Sequence, residues 1–137
     1  MIAGIVFEDM QGFQGETDGD VVLQALCNAI TSLTHIPILT EVAEELCLKE
    51  GITDSEVYLQ AALTTLDKQR IQHIAISLEA KRPLFQEYFL DMREKIASIC
   101  SLEKEQVGIT AMSGDGLSDV SCGDGVSCLA LITTVEE

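Results

Sequence analysis

The sequence predicts an α/β (α+β) fold, with helices packed on one face of a small mixed sheet, and three observations carry that prediction. Residues 2–7, IAGIVF, and the apolar runs VGITAM and GVSCLALITTV have the length and β-branching of strands. HIAISLEA alternates Ile74, Ile76 and Leu78 with small or polar residues, the period of two that marks a half-buried strand. Between these runs lie segments with helical spacing. The order strand, helices, strand, helix, strand, strand builds a two-layer domain. All 137 residues fit one such domain, 1–137, large enough to bury roughly two thirds of its unfolded surface.

Each element has a local reason. IAGIVF stops at Glu8 and Asp9, and GFQGETDGD, with its glycines and acids, then reads as a turn. From Val21 to about Leu33 the apolar positions cover most of a helical cylinder, so this helix is expected to be buried, with Asp18 or Asp20 as its N-cap. Its oddity is Gln24, a polar side chain four residues past Asp20. Ile36-Pro37 interrupts the pattern, and TEVAEELCLKE follows as an amphipathic segment stopped by Gly51. In TDSEVYLQAALTTLDKQ, Asp54 or Ser55 can cap a helix along which Val57, Leu59, Ala62, Leu63 and Leu66 recur. HIAISLEA runs into KRP, and residues 85–100 are again helical, with Phe89, Met92, Ile96 and Ile99 on one side.

Composition narrows the function classes. With 47% hydrophobic but only 4% aromatic residues and no Trp, the core must be aliphatic. A formal charge of -15, from 23 acids against eight Lys plus Arg, leaves no basic face for phosphate backbones, which argues against a nucleic-acid partner. No apolar run approaches the roughly 20 residues of a membrane span, and MIAGIVFEDM lacks the features of a signal peptide, so a protein without membrane association is expected. The cysteines Cys27, Cys47, Cys100, Cys122 and Cys128 are odd in number and form no C-x-x-C pair. They read as reduced, buried thiols of a cytoplasmic protein.

Several constellations invite chemistry. The clusters Asp18-Gly19-Asp20, Gly114-Asp115-Gly116 and Gly123-Asp124-Gly125 contain calcium-loop residues but not the alternate acids and closing Glu of an EF-hand, and turn formation accounts for them better than calcium does. The two histidines, His35 and His73, bring no converging ligands with them and read as structural or exposed. Ser113 sits in a strand-to-loop turn with no adjacent His to act as base, so a hydrolase triad is not supported. Lys81-Arg82-Pro83, between a strand and a helix, either holds a phosphate or carboxylate or is a solvated loop.

Taken in order, these pieces resemble the 2-C-methyl-D-erythritol 2,4-cyclodiphosphate synthase family of the non-mevalonate isoprenoid pathway. IAGIVFEDMQGFQGETDGDVVLQALCNAI is similar to that family's G-G-V strand followed by H-S-D-G-D-V-x-L-H-A. TDSEVYL is similar to a helix start at A-D-S, and ISLEAKRPL to its strand and proline loop. TAMSGDGL with CGDGV resembles A-T-T-x-E-x-L and G-R-x-E-G. The resemblance implies a homotrimer with active sites between subunits and a cavity on the three-fold axis. It also implies a reaction that cyclises a CDP-methylerythritol 2-phosphate with release of CMP, using zinc plus magnesium or manganese. The expected partners are a second copy of the chain and a cytidine nucleotide or isoprenoid diphosphate.

The same resemblance assigns residues. It places Thr17, Asp18, Asp20, Ala80, Lys81, Arg82, Pro83, Ala111 and Met112 at the ligand, and Ser113 and Asp115 in the catalytic segment, Asp115 standing for the glutamate that holds the second divalent ion. Gln24 falls on the zinc-binding histidine of L-H-A, Glu16 on a histidine near the phosphates and Cys122 on a cavity arginine. The ribose-gripping Asp-x-Gly is replaced near Ile38 and Thr40. The other two zinc ligands belong to a D-x-H upstream of the first strand and are also expected to be missing, so zinc is not expected here. Two readings follow: a divergent synthase with weak or lost activity, or a zinc-free paralogue that binds a ligand or assembles as a trimer.

Overall fold

The structure is a computed structural model that describes residues 3, 20–36, 55–79, 88–112 and 127–136. Helix α1 spans Val21–Thr34, α2 spans Ser55–Leu63 and α3 spans Phe89–Cys100; the strands are β1 (Gln69–Glu79), β2 (Val107–Met112) and β3 (Ser127–Glu136). Of the expected strand at 2–7 only Ala3 is described, and it is a left-handed turn residue at φ 52° rather than extended; the segment at 40–50 lies outside the described residues.

Asp20 starts α1 by accepting the Leu23 N–H at 3.1 Å, which satisfies one donor of the open first turn. At the other end His35 turns left-handed (φ 63°) and donates its N–H to Thr31 O at 2.7 Å. The last residues of the second helical pattern tighten into a 3-10 turn, Thr64–Leu66, before the chain enters β1. α3 runs from Phe89, with Tyr88 as its N-cap at φ -110°, ψ 0°, and the expected helical residues 85–87 lie outside the described residues.

The sheet has the order β2-β1-β3, with β2 parallel and β3 antiparallel to the central strand. It is therefore mixed, as expected. β1 and β2 are joined across α3, which makes a βαβ unit. β1 starts four residues before the expected His73, because Gln69 already pairs with Glu136. An irregularity in the register between Ile71 and His73 leaves Gln72 and His73 both exposed, which erases the alternation in that stretch.

One face of this sheet is covered and the other is open. Ile74, Ile76 and Leu78 of β1 point with Val107 and Ile109 of β2 into a core filled by Leu23, Leu26 and Ile30 of α1, Tyr58 and Leu59 of α2, and Met92 and Ile96 of α3. On the opposite face, Leu129 and Leu131 of β3 are 72% and 67% exposed, and Met112 of β2 is 62% exposed. Arg93 ties α3 to the start of β2, donating from Nε to Val107 O at 2.7 Å and from Nη2 to Lys104 O at 3.0 Å.

Candidate functional site

The register of the sheet selects one end for chemistry. Glu79 pairs with Met112 across the parallel strands and with Ser127 across the antiparallel pair. The chain therefore leaves for Ala80 and for Ser113 from neighbouring strand ends, about 5 Å apart by the spacing of adjacent strands, and re-enters the sheet there at Ser127. Loops beyond the C-terminal ends of parallel strands are the usual ligand-binding edge of α/β sheets. The N-terminus of α1 lies at this edge too: Asp20 is close enough to Cys128, the partner of Leu78, to help raise its thiol.

Of the residues assigned from sequence, Asp20, Gln24, Ala111 and Met112 are described. Thr17, Asp18, Ala80, Lys81, Arg82, Pro83, Ser113 and Asp115 lie outside the described residues, as do Glu16 and Cys122. Asp20 is fully buried, and its Oδ1 accepts the N–H of Ala3 at 2.8 Å as well as that of Leu23. Ala3 itself is left-handed, at φ 52°. Gln24 follows one turn later, half-buried, its backbone N–H donating to Asp20 O at 3.0 Å. Ala111 and Met112 share the strand end but face opposite sides. Ala111 continues the side of Val107 and Ile109, while Met112 stands on the open face with Leu129 and Leu131.

The tether from Asp20 to Ala3 could not be read from sequence, since it joins residues 17 positions apart. The cap was legible, because an acid directly before an apolar helix is its signature.

Burial pushes the thiols of Cys27, Cys100 and Cys128 up to about 12, with Cys100 and Asp20 adding to the shift at Cys27. At neutral pH they are protonated, and neither thiolate nucleophiles nor ready metal ligands. Among the described residues no three His, Cys, Asp or Glu side chains gather as a metal-binding set.

A groove of about 890 Å³ opens at the other end of the sheet, between Leu66, Arg70, Ile71, Cys100 and Leu102. Much of its polar lining is already committed within the chain. Gln106 donates to Gln72 O at 2.9 Å and accepts from Glu103 N at 3.0 Å, Thr64 donates to Ala61 O at 2.6 Å, and Gln69 accepts from Thr134 at 3.0 Å. Size alone does not make it the site, because a binding pocket needs convergent polar groups left available to a ligand.

A profile of the YgbB family matches residues 1–135. A 2-C-methyl-D-erythritol 2,4-cyclodiphosphate synthase from Chlamydia caviae is 50% identical over 137 residues, covering 99% of this chain and 78% of its own length. Two solved structures share the fold. The bifunctional IspDF of Campylobacter jejuni superposes with a TM-score of 0.89 at 19% identity, over 100% of this chain and 38% of that one. The IspF of Plasmodium falciparum, a CDP complex, gives 0.83 at 13% identity, over 99% of this chain and 83% of that one. Half of its residues shared with a synthase, and the profile matched along almost its whole length, place the chain in the YgbB family, that of the 2-C-methyl-D-erythritol 2,4-cyclodiphosphate synthases of isoprenoid biosynthesis.

Proposed function

We propose that this chain retains the family's cytidine-nucleotide pocket and homotrimeric assembly, while its synthase activity is weak or lost. The observation that carries the reading is Gln24. It stands one turn into α1, at the position where the family resemblance expects an imidazole. An amide offers a weak neutral oxygen where zinc favours imidazole nitrogen, thiolate or carboxylate, so the donor set on α1 does not fit that ion. Losing a Lewis acid that neutralises and aligns two phosphates removes several kcal/mol of transition-state stabilisation, each ~1.4 kcal/mol being tenfold in rate.

What remains suits binding. Lys81 and Arg82 supply positive charge to phosphate oxygens in a chain otherwise strongly acidic, and Thr17 and Ser113 supply hydroxyl donors. Asp115 is a shorter carboxylate than the family's glutamate and would hold magnesium or manganese through oxygen, an ion that would supply neutralising charge for phosphates. The CDP complex of the Plasmodium falciparum relative supports a cytidine nucleotide as the ligand class. A second reading, a trimeric ligand-binding or assembly protein with no catalytic role, draws on the apolar open face of the sheet around Leu129 and Leu131. No helix among the described residues is long and apolar enough to cross a membrane. Protonated thiols on three elements suit a cytoplasmic setting.

The deciding experiment measures zinc content and CMP release from the family substrate on purified protein, with CMP binding by calorimetry. Nucleotide binding with negligible turnover is expected. Stoichiometric zinc with turnover at ordinary enzyme rates would refute the loss of activity, and no heat at millimolar CMP would refute the retained pocket.

A further inference from the structure

We propose that the groove at the foot of β1 is a docking site for an extended, cationic peptide segment of another protein, which adds to the sheet as a strand along Gln69–Gln72. The ladders define the place. β3 pairs with β1 from Gln69 onward, whereas β2 joins it only from Ile74, so residues 69–73 have a neighbouring strand on one side alone among the described residues. A strand edge of this kind presents backbone N–H and C=O groups to whatever lies beside it. The groove of about 890 Å³ runs along that edge. Gln69, Arg70, Ile71 and Gln72 all line it, and consecutive strand residues, which point to alternate faces, share one groove only from the side. Gln106 shows that the edge takes donors: its side-chain Nε2 donates to Gln72 O at 2.9 Å, standing in for a strand N–H just where β2 stops short.

The lining selects the occupant. The side chains of Thr64, Gln69 and Gln106 are engaged within the chain, so the groove offers backbone together with the half-buried apolar surface of Leu63, Ile99 and Leu102. That combination suits an extended peptide with alternate apolar side chains better than a polar metabolite. At a rise of about 3.3 Å per residue, the edge from Gln69 to His73 matches a segment of about five residues. The charges of Asp67 and Arg70 cancel in the lining, so the rest of the chain, with its formal charge of -15, sets the sign of the partner and draws cations from a distance.

The test titrates acetyl-Lys-Val-Thr-Val-Lys-amide into the isotope-labelled full chain and follows amide chemical shifts. Saturation at or below about 1 mM is expected, roughly the strength of four net backbone hydrogen bonds, with shifts centred on Gln69–Gln72, Ser101 and Leu102. Two further probes, N-methylated at alternate residues in either phase, each block one edge of the peptide, and one of them should bind ~10-fold more weakly. Equal binding by all three probes would overturn strand addition. The acidic counterpart, with Glu for both Lys, should bind ~10-fold more weakly at low salt, and equal affinity would refute the charge assignment. Thr64→Trp places a ring in the groove and should weaken the lysine probe by ~10-fold, whereas undiminished binding puts the peptide elsewhere and sinks the proposal. The comparison of probes needs no substitution and decides even where that variant does not fold. Shifts centred on Leu129 and Leu131 instead, or no shifts at millimolar probe, would also overturn the docking site.

Discussion

Replacing Leu131 on the open face of the sheet should dissociate a trimer without unfolding its subunits. Leu129, Leu131 and Met112 are 72%, 67% and 62% exposed, so the surface they leave in water amounts to about two complete side chains per subunit. Burying an apolar side chain of this size contributes ~1.5–3 kcal/mol, which gives about 3–6 kcal/mol per subunit and three times that per trimer. Association costs of ~4–15 kcal/mol offset part of this total. Leu131→Ala should remove ~1–2 kcal/mol per subunit, or about two to four decades in the trimer association constant. Leu131→Asp adds three like charges around a shared axis and should leave monomers at micromolar concentration. Sedimentation velocity reads the assembly, and circular dichroism with urea titration checks that the monomer stays folded, as expected for a side chain already exposed. A trimer that survives Leu131→Asp, or a wild-type chain that sediments as a monomer, refutes the assignment of this face.

Arg93→Ala should cost about 2 kcal/mol in urea unfolding, because a guanidinium serving two backbone carbonyls is removed and Val107 O is left without that donor in a buried setting. Arg93→Lys should recover less than half, since an ammonium cannot span both acceptors with the same fork. Ile76→Ala should cost ~2–5 kcal/mol through the cavity it leaves, whereas Ser77→Ala, on the other face of the same strand, should change stability by less than ~0.5 kcal/mol. Stability should also fall in alkali. The thiols of Cys27, Cys100 and Cys128 are raised from 9.0 to about 12 in the folded chain, so their contribution is intact below pH 9 and is lost as pH climbs toward 12. Each thiol ionised only when unfolded steepens the loss by ~1.4 kcal/mol per pH unit, and serine at all three positions should flatten that limb of a urea-midpoint profile.

The parts of the fold legible in sequence are those set by local periodicity. Ile74, Ile76 and Leu78 announced the second half of β1 because strand neighbours alternate faces, and the pair Asp18 or Asp20, of which Asp20 is the cap, announced the start of α1 because a carboxylate there meets open N–H groups. The first half of β1 was hidden because the irregularity near Ile71 puts two polar residues outward in succession, which reads as loop. At the candidate site, the adjacency of Glu79 and Met112 depends on which strands pair and in what register, a tertiary choice that no local pattern encodes. The lock between Asp20 and Ala3 is of the same long-range kind.

The central place of β1 also governs how the molecule reaches its native state. Both of its neighbours arrive late along the chain, one after α3 and the other only from residue 127, and Gln69 finds its partner only at Glu136. Helices α1 and α2 can form from nearby residues, but the middle strand must wait for distant segments, so sheet closure is the slow event. Until then a run containing Ile71, Ile74, Ile76 and Leu78 has neither edge satisfied, and crowded refolding would divert it into intermolecular pairing. Recovery of soluble protein after dilution from denaturant should therefore fall steeply with concentration.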